Sequence, residues 1–309
     1  MPLTVVVLSS RLPGVVPAAA LPALRAAAAV AADASVPGDV RDALGAVTGP
    51  APADGVLLTC DPDVTGDTVI TTPEPAGAAL LDAVAVMDLL RSPGGCPWDA
   101  EQTHASLLQY LVEECYELYD AVESGDRPAM REELGDVLLQ VLFHARVAAE
   151  VGDGLDVDAV ASELVTKLVG RHPHVFPGPE GIDTERIETA ERQEHRWEEL
   201  KRAEKRRESS VDGVPLGQPA VALAAKLTSR TARAGLPADL LPDGSGVGER
   251  LFALAAAAKL VGVDPEAALR AAALRFAEDV RAAEKAATAT GADPHALDED
   301  AWRAHWPGR

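Results

Sequence analysis

"LVEECYELYDAV" (residues 111–122) sets Glu113, Glu114 and Glu117 into an otherwise apolar stretch. Residues three and four apart share a helix face, and at about 100° per residue these acids fall within an arc of roughly 100°. The spacing predicts a helix from near Thr103 to about Ser124, with Leu111, Val112, Cys115 and Leu118 on its core side. "SGDRPA" (124–129) breaks it. A following helix over about 128–150 carries "REELGD" (131–136), in which Glu132, Glu133 and Asp136 repeat the acid spacing. Two acidic faces on consecutive helices joined by a short turn predict an antiparallel hairpin that brings them together.

That arrangement is unfavourable without cations, because carboxylates a few Å apart repel and some must take up protons at neutral pH. One such cluster alone reads best as a solvated helix face. Two matched clusters on consecutive apolar helices read better as a site for hard divalent cations, which take oxygen ligands and leave positions for phosphate oxygens and water. No Cys or His falls at the matching positions, which argues against zinc.

The rest of the chain fits around this hairpin. Its 309 residues suffice for one large domain or two to three small ones, and 47% hydrophobic content supports a packed core. With 4% aromatic residues and abundant Ala, helix-on-helix packing is expected. The net charge of −21 argues against a non-specific nucleic-acid coat or an anionic membrane surface, both of which need a basic face, and leaves a polyanion able to bind only through metal cations held by concentrated carboxylates. No apolar run is long enough to span a bilayer, and "MPLTVVVLSSRLPG" is unlike a signal peptide. Three cysteines (Cys60, Cys96, Cys115) without metal-type spacing suit a reduced, cytoplasmic protein.

Three domains are expected. Residues 1–76 form a small α/β piece, with "LTVVVLSS" and "DGVLLTCDP" as buried strands, a helical stretch around 17–33 between them, and "DTVITTPEP" as a third strand. Residues 77–208 form a helical domain with "GAALLDAVAVMDLLR", the acidic hairpin, "DVDAVASELVTKLVGR" and a charged, solvated helix near 184–208. Residues 209–309 carry helices near 218–234, 247–261 and 264–287. A weak repeat relates 134–168 to 247–276, and only its first copy is acid-rich. The fold class is therefore mainly α, a helical bundle with a small N-terminal α/β domain.

At the acidic hairpin the chain resembles the MazG family of all-α nucleoside triphosphate pyrophosphohydrolases, whose pattern is E-E-x-x-E followed by E-x-x-D. Glu113, Glu114, Glu117, Glu133 and Asp136 meet it. So do the flanking "GGCPWDAEQTHASL" (94–107), "RHPHVF" (171–176), "WEELKRAEK" (197–205) and "DGVPLGQPAVALAAKL" (212–227). The resemblance covers about 80–235, leaves the N-terminal piece outside, and reaches the C-terminus weakly. It implies hydrolysis of a nucleoside triphosphate to monophosphate and pyrophosphate, with Mg²⁺ or Mn²⁺, loose base selectivity and a nucleotide-pool housecleaning role. It implies metal ligation by Glu114, Glu117, Glu133 and Asp136, with Glu113 beside them helping to place the water. Lys167 and Arg171 match the family's phosphate-contacting cations, and Arg131 is a further phosphate candidate. In members with two complete repeats the second is also acidic. Here Gly246 stands where Glu133 would, Glu249 where Asp136 would and Asp279 where Arg171 would, so the second unit is expected to pack or to form a dimer surface.

Other residues carry weaker signals. Trp98 in "CPWD" reads first as core and second as a stacking platform for a base. Glu101 and His104 have di-iron spacing without the second motif that chemistry requires, so His104 is expected to cap or pack near the helix start. Cys115 is expected to be a buried thiol, His172 and His174 a structural turn, and "WRAHW" a docking tail. A single hairpin cannot surround a nucleotide, so a homodimer is expected. A non-catalytic cation-binding protein and a narrower dUTP, dCTP or phosphoribosyl-ATP hydrolase remain open on these residues alone.

Overall fold

The computed structural model describes residues 2–176, 189, 192 and 208–308. Two compact units divide the chain, residues 1–184 and 185–309. No helix among the described residues is long and apolar enough to cross a membrane.

The first unit begins with five parallel strands: β1 (Thr4–Val7), β2 (Val30–Ala32), β3 (Val47–Thr48), β4 (Val56–Thr59) and β5 (Thr68–Thr71), in the order β3-β2-β4-β1-β5. The central strands β1 and β4 are buried throughout, as parallel strands covered on both faces must be. Short helices α1 (Leu21–Ala26) and α2 (Gly38–Ala43) connect them. Val6, Leu8, Ala32, Val36, Val56 and Leu58 form the core. The helical stretch expected over 17–33 is shorter than its alanines suggest, because Val30–Ala32 is drawn into the sheet between β4 and β3.

The remaining elements of this unit are helical: α3 (Ala79–Arg91), α4 (Pro97–Glu101), α5 (His104–Ser124), α6 (Arg127–Ala149) and α7 (Val157–Arg171). Arg11 pairs with Glu74 and, at 2.8 Å, with Asp82, tying the loop after β1 to α3. The long pair α5 and α6 is held by explicit end signals. Thr103 and Ser106 exchange side-chain-to-backbone hydrogen bonds in a capping box that opens α5. Gly125, at φ 72°, closes it in the left-handed conformation that favours glycine. Asp126 follows at once, accepting from the Ala129 N–H at 3.1 Å to open α6. The turn between two helices of 21 and 23 residues is thus only Gly125 and Asp126.

Met87, Leu107, Leu142 and Phe143 form the core beneath the hairpin. Arg91 locks the far end: its guanidinium meets Glu150 at 2.9 and 3.0 Å, reaches the Asp99 and Gln102 carbonyls, and lies over the Phe143 ring.

The second unit contains α8 (Ala220–Arg233), α9 (Val247–Leu260), α10 (Pro265–Ala289) and α11 (Glu299–His305). Phe276, Trp302 and Trp306 cluster where the C-terminal segment docks on α10. The charged helix expected at 184–208, including all of "WEELKRAEK", lies outside the described residues except at 189, 192 and 208.

Candidate metal centre

The helical hairpin sets the acids of "EECYE" on α5 and "EELGD" on α6 against one another. Glu114 and Glu117 from α5 and Glu133 from α6 each offer a carboxylate oxygen, all within 4.8 Å of one another, the one such grouping among the described residues. Glu114 and Glu133 are half-buried and Glu117 is exposed. Burial, then the charges of Asp136 and Glu117, holds the Glu114 carboxyl above the usual carboxylate range. Glu133 is raised too, by burial first and then by Glu117 and Asp136. Asp136 therefore belongs electrostatically to the same group, although its oxygens fall outside the tightest set.

An oxygen-only donor set in which burial and neighbouring charge raise Glu114 and Glu133 fits a hard divalent cation. A divalent cation brought among Glu114, Glu117 and Glu133 would replace mutual repulsion by ligation. The chain thus carries an electrostatic cost at this place that a divalent cation would remove.

The other expected site residues are distributed differently. Glu113 is exposed on α5 and lies outside the tight grouping. Trp98 on α4 is 51% exposed and edges against Tyr110 and Phe143, with centroids 6.1 and 6.5 Å away. It belongs to an aromatic cluster and keeps half its surface free, so it is not the buried core residue its neighbours Pro97 and Cys96 suggest. Lys167 is exposed and Arg171 half-buried, both near the end of α7 and outside the carboxylate grouping. Arg131 lines a cavity of about 510 Å³ with Arg127, Pro128, Met130 and Leu134. It stands about 140–160° around α6 from Asp136 and Glu133, so it points away from the carboxylates of its own chain.

Two readings of α5 are corrected. Cys115 is exposed, and Val112 is 54% exposed, so neither lies on the core side. The inner stripe runs through Leu107, Leu111, Glu114, Leu118 and Ala121, and a second apolar stripe of Leu108, Val112, Tyr116 and Val122 faces outward. Glu114 occupies the centre of the inner face, which explains its raised carboxyl.

Sequence reasoning missed two participants in the hairpin. His104 Nδ1 lies 2.8 Å from His144 Nδ1 with the rings parallel, joining the start of α5 to the end of α6. Gln140, one turn beyond Asp136 on α6, is only 4% exposed. The continuing i,i+4 series Asp136, Gln140, His144 was the available signal. After α7, His172 Nδ1 contacts the Leu168 carbonyl at 2.7 Å, in keeping with a structural turn. In the second unit Glu249 folds back over the N-terminal turn of α9 at Gly244 and Gly246, a helix-end role in place of a ligand's.

Comparisons with known proteins converge on this region and extend beyond it. The family model described as the MazG nucleotide pyrophosphohydrolase domain matches residues 102–176. A second, the MazG N-terminal domain, matches 3–83, so the α/β piece lies inside the family likeness and not outside it. A nucleoside triphosphate pyrophosphohydrolase of Mycolicibacterium smegmatis is 46% identical over 277 residues, covering 82% of this chain and 80% of that one. The protein of the same name from Mycobacterium tuberculosis is 41% identical over 273 residues, 82% of this chain and 78% of its own. An uncharacterized 26.1 kDa protein of Streptomyces cacaoi is 55% identical over 210 residues, 67% of this chain and 84% of its own. A cluster of acids on a helical hairpin with a two-residue turn, carried in a chain that is alike along most of its length, places the protein in the MazG nucleotide pyrophosphohydrolase family.

Proposed function

We propose that the protein is a divalent-cation-dependent nucleoside triphosphate pyrophosphohydrolase of the all-α type, converting a nucleoside triphosphate and water to the monophosphate and pyrophosphate. The observation that carries this reading is the grouping of Glu114, Glu117 and Glu133, with Asp136 coupled to it, on the α5–α6 hairpin. Two nucleoside triphosphate pyrophosphohydrolases that align with four-fifths of this chain support it.

Bound Mg²⁺, or Mn²⁺ in its place, supplies a Lewis acid that draws charge from the phosphoryl oxygens and makes water a better nucleophile. Glu114, Glu117, Glu133 and Asp136 hold that charge between α5 and α6. Glu113, exposed beside them, accepts the proton of the attacking water. Water adds at phosphorus, the bond to the bridging oxygen breaks, and pyrophosphate leaves. Lys167 and Arg171, one turn apart on α7, face the triphosphate, and Arg131 offers a further cation. Trp98 presents its free surface to the base, a contact every base can make, which suits loose base selectivity and a housecleaning role in the cytoplasm.

A homodimer completes this site. The outward stripe of α5 leaves Leu108, Val112 and Val122 more than half exposed, and α7 leaves Val165 at 59% and Leu164 at 46%. Apolar stripes of this size at helical spacing suit a helix-on-helix partner. A second chain would also bring a second set of cations to face the carboxylates.

Purified protein with Mg²⁺ and each nucleoside triphosphate should release pyrophosphate, and Glu133→Ala or Asp136→Ala should abolish release. Inorganic phosphate as the product, or undiminished turnover in both variants, overturns the reading.

A further inference from the structure

At the far end of the α5–α6 hairpin most charge is held in pairs. Asp88 and Arg91 of α3 pair with Arg146 and Glu150 at the end of α6, and Asp156 caps α7. Asp99 and Glu101 of α4 and Asp158 of α7 make no ion pair among the described residues. Between these elements His104, the first residue of α5, meets His144 of α6. Their Nδ1 atoms lie 2.8 Å apart and their rings are parallel to within 3°. With the ring centroids 5.1 Å apart, so short a nitrogen–nitrogen distance means that the rings meet edge to edge.

That contact restricts the protons. One Nδ1 must carry hydrogen and the other a bare lone pair, so at least one ring of the bonded pair is neutral. A charged imidazole carries hydrogen on both nitrogens, and two charged rings would turn N–H against N–H. The surroundings resist charge on either ring. His144 is half-buried, and its Nε2 is enclosed without a hydrogen-bond partner among the described residues. Burial, and then the charge of His104, holds the His144 ring below the usual imidazole range. His104 stands in the first turn of α5, where a cation opposes the helix dipole and no acid is present to offset it. The same turn is bonded to α4: Ser106 Oγ donates to Gln102 Oε1 at 2.8 Å, and Gln102 Nε2 donates to the Trp98 carbonyl at 3.0 Å.

We propose that His104 and His144 form a proton-operated clasp, closed near neutral pH, whose opening in mild acid frees the first turn of α5 and the α4 segment bonded to it. Above the ordinary imidazole range, near about pH 6.5, the bond stands. As pH falls through that range the unfolded chain takes up protons that the clasp refuses, so the contribution of the clasp to stability is lost. Glu114 and Glu133 shift stability the opposite way. They lie ten residues from His104 and eleven from His144 along their helices, and act alike whether or not the clasp is present.

The experiment follows amide hydrogen exchange in the full-length protein at about pH 7.5 and about pH 5.5, with rates corrected for the intrinsic effect of pH. In the native protein the protection of amides 103–108 should fall about tenfold relative to that of β1 and β4, the worth of one net hydrogen bond. His104→Gln and His144→Gln should each hold that ratio within about twofold, because a carboxamide both donates and accepts and so follows the proton of the remaining ring. Over the same interval the native melting temperature should drop by about 2–4 °C against either variant, the trend from Glu114 and Glu133 cancelling in the difference. An unchanged ratio in the native protein, a fall shared equally by β1 and β4, or the same fall in both variants overturns the clasp. Should one variant fail to fold at the higher pH, the native ratio and the other variant decide.

Discussion

Arg91 and Glu150 form a two-point ion pair between the end of α3 and the residue after α6, with Nε to Oε1 at 2.9 Å and Nη2 to Oε2 at 3.0 Å. The Arg91 side chain is 3% exposed, whereas that of Glu150 is 41% exposed. Removing either partner is therefore unequal. Glu150→Ala leaves a buried guanidinium without its carboxylate and should cost about 2 kcal/mol, at the low side for a buried pair because one partner is wet. Arg91→Met loses the Glu150 pair together with the bonds to the Asp99 and Gln102 carbonyls and the contact over Phe143, although Arg146 still meets Glu150 at 3.1 Å, and should cost more. Urea unfolding of the two variants checks the order, and equal losses would contradict it.

The carboxylate centre predicts a conflict between stability and activity. Glu114→Gln removes a charge held at the middle of an inner helix face among Asp136, Glu117 and Glu133. The metal-free variant should melt above the native protein, by about 1–3 °C. It should also lose most of the rise in melting temperature that Mg²⁺ gives the native chain, and most of its pyrophosphate release. Differential scanning fluorimetry with and without Mg²⁺ tests both halves.

The pH dependence has a definite sign. Glu114 and Glu133 are raised above their ordinary values, so in the metal-free protein the folded state binds protons more readily than the unfolded one. Their contribution to stability falls as pH rises through the raised range. Glu150 is lowered, chiefly by its hydrogen bond to Arg91, and its contribution is lost only below the ordinary carboxylate range. Metal-free protein should thus melt higher at about pH 5.5 than at about pH 7.5. The rise given by Mg²⁺ should shrink at the lower pH, because protons compete for the same oxygens. Glu133→Gln should flatten the metal-free trend.

Trp98→Ala should raise KM for nucleoside triphosphates about five- to tenfold, from loss of one stacking face, with a smaller effect on kcat. Since Trp98 also edges against Tyr110 and Phe143, the melting temperature must be followed in parallel. A kcat loss with unchanged KM would remove Trp98 from the base contact.

The helical hairpin and its acids were legible because charge at i,i+3 and i,i+4 within an apolar run has one geometric meaning, and Gly125–Asp126 is a strong stop-and-start signal. Which apolar residues face inward was not legible. Val112 and Cys115 sit beside Leu111 and Leu118 in sequence, yet α5 carries apolar residues on two faces, and hydropathy alone cannot rank them. Strand β2 was hidden for a related reason. "AVAAD" (29–33) has alanine composition and only Val30 to mark it, and becomes a strand because two parallel neighbours supply its hydrogen bonds.

The two-residue turn at Gly125–Asp126 acts as a gauge for the whole centre. With both helix ends capped there, neither helix can slip to absorb an inserted residue. One extra residue on the α6 side would carry Glu133 and Asp136 about 100° around the axis, breaking the cluster while leaving two amphipathic helices able to pack. Chain length at the turn is therefore under tighter constraint than chain identity along most of either helix. In a protein of this kind, a single codon gained or lost at the hairpin tip would silence the centre more completely than most substitutions within it.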